Sequence, residues 1–289
     1  MPATGLQDTQ GTPEAGMFFT AALCGKRRIP LMVFSVDAAS CRHCGICAAG
    51  CVCGLIELTA DGVPSVPPDR QPRCVHCGHC AASCPTGAIT LDGMDARHLE
   101  AAGEPVPPYM TRRLLKTRRA IRNFKPEAVD PALLEQLLSL AAYAPTAHNA
   151  RQVSYTVING RQNVEKLLLA TVRLMEAHGI YTNHTKNVRN GHDTLFRGAP
   201  CLILLHAPER ILSETDCATA ASYLELAFPS FHMGSCWAGM LIEACAHGLP
   251  EGFALPEGHR LYAALMVGRP DITYTRIPFR SAPDIVWVS

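Results

Sequence analysis

The sequence predicts an α+β protein in which a small cysteine-rich domain precedes a larger domain of helices and strands. Ten of the fourteen cysteines lie before residue 85, so the chain divides by composition. Beyond them, apolar residues with helical spacing alternate with short continuous apolar runs, which are typical of buried strands. A chain of 289 residues is long enough for two such domains.

The change of composition along the chain also gives the expected segments. They are a flexible N-terminal extension (1–31), a cysteine-rich domain (32–94), a linker (95–111) and a second domain (112–289). Pro105, Pro107 and Pro108 fall in the linker, which we therefore expect to be stiff and extended.

The overall composition argues against several classes of function. The formal net charge is +1, so no global field favours nucleic acid or an anionic membrane surface. The longest apolar runs, such as "CLILLHA" from Cys201, are too short to span a bilayer. The first residues are polar and do not form a secretory signal. Arg27 and Arg28 leave twin-arginine export as a minor alternative, and an extracellular disulfide framework is another. A reducing cytoplasm, with the cysteines as metal ligands, is the expectation.

Two runs of cysteines in the first domain repeat each other, because each cysteine of the first run recurs 33 residues later. The runs are "CRHCGICAAGC", with Cys41, Cys44, Cys47 and Cys51, and "CVHCGHCAASCP", with Cys74, Cys77, Cys80 and Cys84. The match extends to Gly45 and Gly78, Gly54 and Gly87, Ile56 and Ile89, and Leu58 and Leu91. Cys53 falls opposite Thr86, which cannot bind iron, so Cys53 is expected to be a spare thiol.

The spacing within each run indicates an iron–sulfur cluster. A zinc site uses two pairs of ligands separated by a finger, whereas three cysteines at three-residue steps surround one compact cluster. In two-cluster ferredoxins the fourth cysteine of each run binds the neighbouring cluster. Two [4Fe–4S] clusters are expected, one held by Cys41, Cys44, Cys47 and Cys84, the other by Cys74, Cys77, Cys80 and Cys51.

Residues 32–92 thus resemble a bacterial two-cluster ferredoxin over its whole length. "MVFSVDAASC" is the expected first strand, and "GLIELTADG" and "GAITLDG" are the short strands that follow the cysteine runs. Val52 departs from the pattern, since Pro85 occupies the equivalent place in the second run. Three histidines lie between ligands: His43, His76 and His79. They could tune the cluster potential by hydrogen bonding, but we expect them to face solvent.

The second domain shows alternating helix and strand signals. "DPALLEQLLSLAAYAP" predicts a helix with Asp130 as its N-cap, and "NVEKLLLATVRLMEAHG" predicts a helix closed by Gly179. Helices are also expected in "DCATAASYLELAFPSF" and "CWAGMLIEACAHG", and strands in "VSYTVING", "APCLILLHAP" and "LYAALMVGRP". No glycine-rich nucleotide fingerprint is present.

Four stretches of this domain carry the chemistry. They are "RRAIRNF" (Arg118–Phe124), "APTAHNARQ" (Ala144–Gln152), "MGSCWAG" (Met233–Gly239) and "YTRIPFR" (Tyr274–Arg280). The third is expected to be a turn with exposed backbone amides between two helices. Each is weak alone, but in this order they resemble the FMN-dependent nitroreductase family across residues 112–289. That family has an α+β fold and dimerises with FMN at the subunit interface.

The resemblance implies a set of FMN contacts. Arg118 and Arg119 would approach the phosphate and ribityl chain, and Arg276 and Arg280 match the C-terminal basic residues that also bind the phosphate. Guanidinium groups suit a phosphate because they can donate two parallel hydrogen bonds. Arg122 occupies the place of a basic residue near flavin N1 and O2. Ala120 stands where the family often has a serine, so one ribityl hydrogen bond is expected to be lost.

The remaining contacts implied by the resemblance come from the two other motifs. Pro145, Thr146, Ala147 and Asn149 match a loop that the partner subunit contributes, whereas Ala238 and Gly239 match backbone near flavin N5. The role of Arg151, and direct flavin contacts by Cys236 or Trp237, stay open. No catalytic side chain is named, because the flavin carries out the redox chemistry itself. Cys201, Cys217 and Cys245 are expected to be ordinary buried thiols.

The combined prediction is an iron–sulfur flavoprotein oxidoreductase that forms a homodimer. Electrons would pass from a donor through two clusters to FMN and on to a small electrophile, such as a nitro compound, a quinone or an activated double bond. NAD(P)H, an external ferredoxin or another redox protein are all possible donors, and reverse flow stays open. Two alternatives are an electron-transfer module that serves a protein partner and a reductase that handles free flavin.

Overall fold

The structure, a computed structural model, describes residues 32–288. The expected N-terminal extension, residues 1–31, therefore lies outside the described residues. The described strands are β1 (Phe34–Val36), β2 (Glu57–Leu58), β3 (Pro64–Ser65), β4 (Ile89–Leu91), β5 (Met94–Asp95), β6 (Ser154–Asn159), β7 (Cys201–Pro208), β8 (Gly234–Trp237) and β9 (His259–Gly268). The described α-helices are α1 (Ile46–Ala49), α2 (His79–Ala82), α3 (Pro108–Thr117), α4 (Pro131–Ala141), α5 (Arg161–Ala177), α6 (Thr182–Arg189), α7 (Ser213–Ala227) and α8 (Gly239–Cys245).

The cysteine-rich domain is built from two antiparallel sheets and two short helices. The strand order of the first sheet is β1-β4-β5, and β2 pairs with β3 in the second. Helices α1 and α2 stand at the same place in the two cysteine runs and pack against each other. Their buried side chains form a small core with Ile56 and Ile89, which are also equivalent in the repeat. The internal duplication in the sequence is therefore a duplication in the fold.

The second domain is organised around a four-stranded antiparallel sheet with the order β6-β7-β9-β8. Successive side chains of a strand point to opposite sides of the sheet. In the two central strands, the side chains on both sides are apolar. Leu202 and Leu204 of β7 face one core, while Cys201, Ile203 and Leu205 face the other. This explains why both strands are continuous apolar runs in the sequence.

Helices cover both faces of this sheet. Helices α5 and α8 pack on one face, and α4 and α7 pack on the other. The expected cap of α4 is present, since the Asp130 carboxylate accepts a hydrogen bond from the amide of Ala132 (3.0 Å). Gly179, with φ +65°, follows the end of α5 as expected. The confirmed α+β class thus rests on the elements that the sequence predicts most clearly.

Three elements differ from the expectations. "MGSCWAG" is not a turn between two helices, because Gly234–Trp237 form strand β8 at the sheet edge, paired with β9. The chain reverses direction into this strand through a short 3-10 helix, Phe228–Phe231. Four residues that include glycine and serine give no period-two signal, so only pairing with β9 defines the strand. Helix α6 is too polar to predict, and α3 begins at Pro108, where proline suits the first turn of a helix.

The C-terminal part of the domain leaves the sheet. After β9, residues 271–288 form no regular structure, and all of them are exposed. Among residues 32–288, no helix has both the length and the apolar character needed to cross a membrane.

Candidate functional site

The cysteine-rich domain contains two cavities lined by thiols. Cys41, Cys44, Cys47 and Cys84 line one cavity. Cys51, Cys74, Cys77 and Cys80 line the other. Within residues 32–288, no group of three or more His, Cys, Asp or Glu side chains is arranged to hold a single ion. A cluster of several atoms needs a cavity surrounded by thiolates, and the two expected ligand sets are each gathered in this way.

The backbone around the two cavities repeats the sequence duplication. His43 and His76 have φ values of +59° and +51°, and Gly45 and Gly78 have values of +70° and +75°. Each glycine precedes one of the short helices α1 and α2, where an L side chain would be strained. The repeated left-handed residues turn each cysteine loop tightly, so that three thiols can face the same cavity.

Backbone amides support the sulfur atoms that would bind the clusters. Leu55 donates to Cys51 Sγ (3.4 Å), and Ala88 donates to Cys84 Sγ (3.3 Å), at equivalent places of the repeat. His76 donates to Cys74 Sγ (3.3 Å). Such bonds to ligand sulfurs stabilise their negative charge and tune the cluster potential. The thiols therefore fit a cluster in their positions and in their hydrogen bonding.

Burial and hydrogen bonding shift the pKa values of these thiols in opposite directions. Burial raises the pKa of Cys80 to about 11, and it also raises the pKa of Cys47 and of Cys74. Burial alone would raise the pKa of Cys84, but hydrogen bonds from residues 86–88 outweigh it and lower that pKa. Ligands must be thiolates, so iron has to displace protons from the buried thiols when the clusters assemble.

Cys53 lies on the wall of the cavity that Cys51 lines. Among the described residues, no backbone amide donates a hydrogen bond to Cys53 Sγ. The structure thus brings a fifth thiol to this cavity, next to the four expected ligands. Of the three histidines expected to face solvent, His43 and His79 are exposed, whereas His76 Nδ1 lies 2.5 Å from Asp92 Oδ2.

The arginine motif of the second domain runs beside strand β8. Ala120 forms an isolated parallel bridge with Ser235, and the amide of Ile121 donates to the carbonyl of Ser235 (2.8 Å). Gly234 permits this approach, because a Cβ at its position would lie 2.4 Å from Ile121 Cγ1. Two motifs that are far apart in the sequence, Arg118–Phe124 and Met233–Gly239, therefore meet at one edge of the sheet.

Glu225 of helix α7 links these two motifs, and sequence reasoning missed it. Its carboxylate accepts a hydrogen bond from Arg118 Nη1 (3.1 Å) and another from Trp237 Nε1 (2.9 Å). The Glu225 side chain is mostly buried by this arrangement. Arg119 Nη1 donates to the carbonyl of Arg118 (2.7 Å), so both arginines are held in place beside β8.

Charges of both signs act on Cys236 of strand β8. Burial raises the pKa of the Cys236 thiol, and so does the Glu225 carboxylate, while the positive charges of Arg122, Arg197 and Arg118 act in the opposite direction. Arg197 was not expected, since an isolated arginine in a loop carries no sequence signal. Its loop is shaped by Asp193, whose carboxylate accepts hydrogen bonds from three backbone amides. Guanidinium groups gathered at one sheet edge fit an anionic cofactor.

Residues 144–151 form a tight loop that meets both domains. The amide of Ala147 donates to Asp216 Oδ1 on α7 (3.0 Å), which anchors the loop to the second domain. The Asn149 side-chain amide donates to the carbonyls of Val75 (2.9 Å) and His76 (3.1 Å) in the cysteine-rich domain. His148, Asn149 and Arg151 all have positive φ, which is uncommon for residues with side chains.

Other predicted contacts are not brought together in the described chain. Arg276 and Arg280 lie in the exposed C-terminal stretch, and each donates a hydrogen bond only to the carbonyl of its preceding residue. The amide of Ala238 donates to the carbonyl of Ala264 (2.8 Å), so its hydrogen bond is made within the chain. Gly239 begins α8 and is exposed. Pro145 is exposed, and Thr146 Oγ1 accepts a hydrogen bond from the amide of Arg151 (3.0 Å).

Comparison with known proteins agrees with this division. Residues 115–269 match the model of the nitroreductase family, and residues 40–88 match a 4Fe-4S dicluster domain. A nitroreductase with bound FMN from Bacteroides fragilis NCTC 9343 has the same fold, with 21% identity, a TM-score of 0.51, and coverage of 64% of this chain and 100% of its own. A nitroreductase with bound FMN from Desulfitobacterium hafniense DCB-2 has 22% identity and a TM-score of 0.51, and the match covers 62% of this chain and 98% of its own.

The nitroreductase match spans more than half of the chain and contains the arginine motif, the 144–151 loop and strand β8. The dicluster match contains both cysteine runs. The fusion expected from the sequence is confirmed: the chain belongs to the nitroreductase family, as an FMN-dependent oxidoreductase with an N-terminal 4Fe–4S ferredoxin domain.

Proposed function

We propose that this protein is an oxidoreductase in which electrons pass through two [4Fe–4S] clusters to FMN and then to a small electrophile. The observation that carries the proposal is the pair of thiol-lined cavities in a chain that also belongs to the nitroreductase family. A single flavin needs no cluster to accept a hydride. Clusters become useful when the electrons come from a one-electron donor.

The chain offers two complete ligand sets for the clusters. Cys41, Cys44, Cys47 and Cys84 would hold one cluster, and Cys74, Cys77, Cys80 and Cys51 would hold the other. The separate cavities and the repeated backbone bonds to sulfur support this assignment. When bound, the clusters carry single electrons and FMN combines two of them with a proton for transfer to substrate.

The second domain would hold FMN beside strand β8. Arg118 and Arg119 would bind the phosphate and ribityl end, and Arg122 would face the pyrimidine edge. Their shared position next to Met233–Gly239 supports this placement. The loop with Pro145, Thr146, Ala147 and Asn149 would complete the site from a partner subunit, and Arg276 and Arg280 would add positive charge from the C-terminal stretch.

Two surfaces support the proposal of a homodimer. Helix α3 has no buried residue along its whole length, although it carries Tyr109, Met110 and Leu115. The C-terminal stretch exposes large apolar side chains, including Phe279 and Trp287. Exposed large apolar side chains on a helix and on a chain terminus suit an interaction site, and a second copy is the commonest partner.

The substrate would be a nitro compound, a quinone or an activated double bond, reduced by electrons from reduced ferredoxin, another redox protein or NAD(P)H. A cytoplasmic setting suits clusters that need reduced thiols. A module that delivers electrons to a protein partner, or a reductase of free flavin, would use the same cofactors. Saturable turnover of one small molecule favours the enzyme, whereas release of FMN on desalting favours flavin handling.

Anaerobic purification followed by cofactor analysis tests the proposal. About eight irons and one FMN per chain are expected, because each cysteine run would contribute to one four-iron cluster. Spectra recorded during reduction with NADH, NADPH and reduced ferredoxin in parallel identify the donor. Iron near four, together with an unchanged spectrum in the Cys84→Ala variant, would contradict the two-cluster assignment.

A further inference from the structure

Asn149 makes hydrogen bonds to both sides of the boundary between the two domains. Its Nδ2 donates to the carbonyls of Val75 and His76, at 2.9 and 3.1 Å, between two cysteines of the second run. Its Oδ1 accepts a hydrogen bond from Arg151 Nε (3.1 Å). These partners fix the orientation of the amide, since carbonyls require the donor end and the guanidinium requires the acceptor end.

The hydrogen bonds of Asn149 connect it to one of the two thiol-lined cavities and not to the other. The carbonyl of His76 accepts from Asn149, while the amide of the same residue donates to Cys74 Sγ. Cys74 lines the cavity that also contains Cys51, Cys77 and Cys80. His76 therefore connects the Cys74 thiol to the loop that contains Asn149. The 33-residue counterpart of this contact, at Arg42 and His43, has no such partner among the described residues.

We propose that Asn149 is a positioning residue that docks the cavity of Cys51, Cys74, Cys77 and Cys80 against the flavin site. This cavity would then be the port through which electrons reach the flavin, and the cavity of Cys41, Cys44, Cys47 and Cys84 would be the outer one. The inference rests on the proposed function, in which the loop with residues 145–149 contacts FMN. Two electrons from a one-electron donor, passed singly, and one proton from solvent complete the reduction of one flavin.

The test of docking compares matched amide variants. Asn149→Asp keeps the size of the side chain but removes both donors and places a carboxylate against two carbonyls. Asn149→Gln keeps the amide, so this variant should retain part of the wild-type docking. Asn163→Asp is the control, because the Asn163 amide also donates to a backbone carbonyl, that of Asn159 (2.9 Å), but within the second domain.

The first readout does not depend on activity. In Asn149→Asp we expect faster limited proteolysis of the exposed linker around residues 100–107 and a larger radius of gyration by small-angle X-ray scattering. Iron content should match that of wild type and of Asn163→Asp, and FMN is added to saturation in every variant, because Asn149 is also a proposed FMN contact. Unchanged proteolysis together with an unchanged radius of gyration in Asn149→Asp would overturn the proposal.

The second readout separates cluster reduction from flavin reduction. After mixing with dithionite in a stopped-flow instrument, the clusters of Asn149→Asp should be reduced at the wild-type rate. The flavin should be reduced roughly tenfold to hundredfold more slowly, because small misplacement of reacting partners costs rates on this scale. A variant with both Cys41→Ser and Cys74→Ser gives the rate of direct flavin reduction, which is subtracted. An unchanged corrected rate in Asn149→Asp would overturn the proposal.

Cysteine variants test which cavity is the port. Cys77→Ser should slow the corrected flavin reduction more than Cys44→Ser does, with the remaining iron of each variant confirming that the other cluster is in place. The opposite order would overturn the assignment of the port. A wild-type flavin rate no faster than the direct rate would instead defeat the proposed function, because the clusters would not supply the flavin.

Discussion

Cys51 and Cys53 line the same cavity, and only one of them is expected to bind iron. Cys51 Sγ accepts a hydrogen bond from Leu55, as its counterpart Cys84 does from Ala88, whereas Cys53 corresponds to Thr86 in the repeat. We predict that Cys53→Ser keeps the wild-type iron content and that Cys51→Ser loses about half of it. Iron analysis after anaerobic reconstitution provides the measurement, and loss of iron in Cys53→Ser would make that thiol a ligand.

Arg118 and Arg122 are predicted to act on different states of the flavin. Arg118 would face a phosphate whose charge is the same in both redox forms, so Arg118→Ala should weaken FMN binding about tenfold to hundredfold, the value of a charge-assisted hydrogen bond. Arg122 would face the pyrimidine edge, where negative charge appears on reduction. Arg122→Ala should therefore retain FMN better but lower its two-electron potential.

Fluorescence titration of FMN and spectroelectrochemistry of both variants measure these two effects. Glu225→Gln is a useful companion, since it removes the negative charge that Arg118 contacts while keeping a side chain of equal size. An unchanged flavin potential in Arg122→Ala would contradict its placement at the pyrimidine edge.

The sequence predicted residues that follow from a local pattern and missed those that depend on tertiary contact. The cysteine ligand sets are predicted from the spacing within each run and from the 33-residue repeat, and they stay a prediction. Glu225 reaches Arg118 across 107 positions of the chain, and Arg197 lies in a loop with no periodicity. Only the folded sheet brings these two side chains to the arginine motif.

Gly234 on strand β8 controls how closely the arginine motif approaches the sheet. An alanine Cβ there would lie 2.4 Å from Ile121 Cγ1 and 2.9 Å from Ile121 Cβ. Relieving such an overlap costs about 1–3 kcal/mol. We predict that Gly234→Ala displaces residues 118–122 and weakens FMN binding by roughly five- to hundredfold, if the whole cost falls on the bound state.

Fluorescence titration measures this loss, and Ile121→Ala in the same chain should restore part of the affinity by shortening the opposing side chain. An equal loss in the double variant would show that the overlap with Ile121 is not the cause. Wild-type affinity in Gly234→Ala would show that the arginine motif does not depend on its approach to β8.

At the level of elements, the strength of the sequence signal decided which predictions succeeded. Strands β7 and β9 are buried on both faces and were predicted as apolar runs, and α4 was predicted with its cap. Strand β8 has four residues and only one neighbour in the sheet, so its own sequence contains too little information. Helix α3 buries nothing in the described chain, and a solvent-exposed helix that begins at the last of three prolines gives a weak pattern.

Helix α7 separates the two parts of the predicted flavin site within one chain. The 144–151 loop is anchored at Asp216, and Arg118 is anchored at Glu225. Nine residues of α-helix span about 14 Å, so these anchors lie well apart. A dimer in which the loop of one subunit meets the arginines of the other would bring both parts to one flavin. Light scattering of the protein with bound FMN should therefore give the mass of two chains.

Because Asn149 docks onto the cysteine-rich domain of its own chain, such a dimer would reduce each flavin from the opposite subunit. Subunit mixing tests this arrangement. One parent carries Arg118→Ala with Arg119→Ala and is expected to hold FMN weakly. The other carries Cys74→Ser with Cys77→Ser and would lack the cluster that we propose lies nearest the flavin. In a mixed dimer, the intact arginines of the second chain would face the intact loop and clusters of the first.

One of the two sites in each mixed dimer would then be complete. Equal mixing places half of the dimers in the mixed form, so cluster-dependent flavin reduction should recover to about a quarter of wild type. Neither parent alone should show cluster-dependent flavin reduction. If the arginines, the loop and the clusters of one site all came from the same chain, every site in the mixture would lack one part. Mixed dimers, isolated with two different affinity tags, that reduce flavin no faster than the parents would therefore exclude electron transfer between subunits.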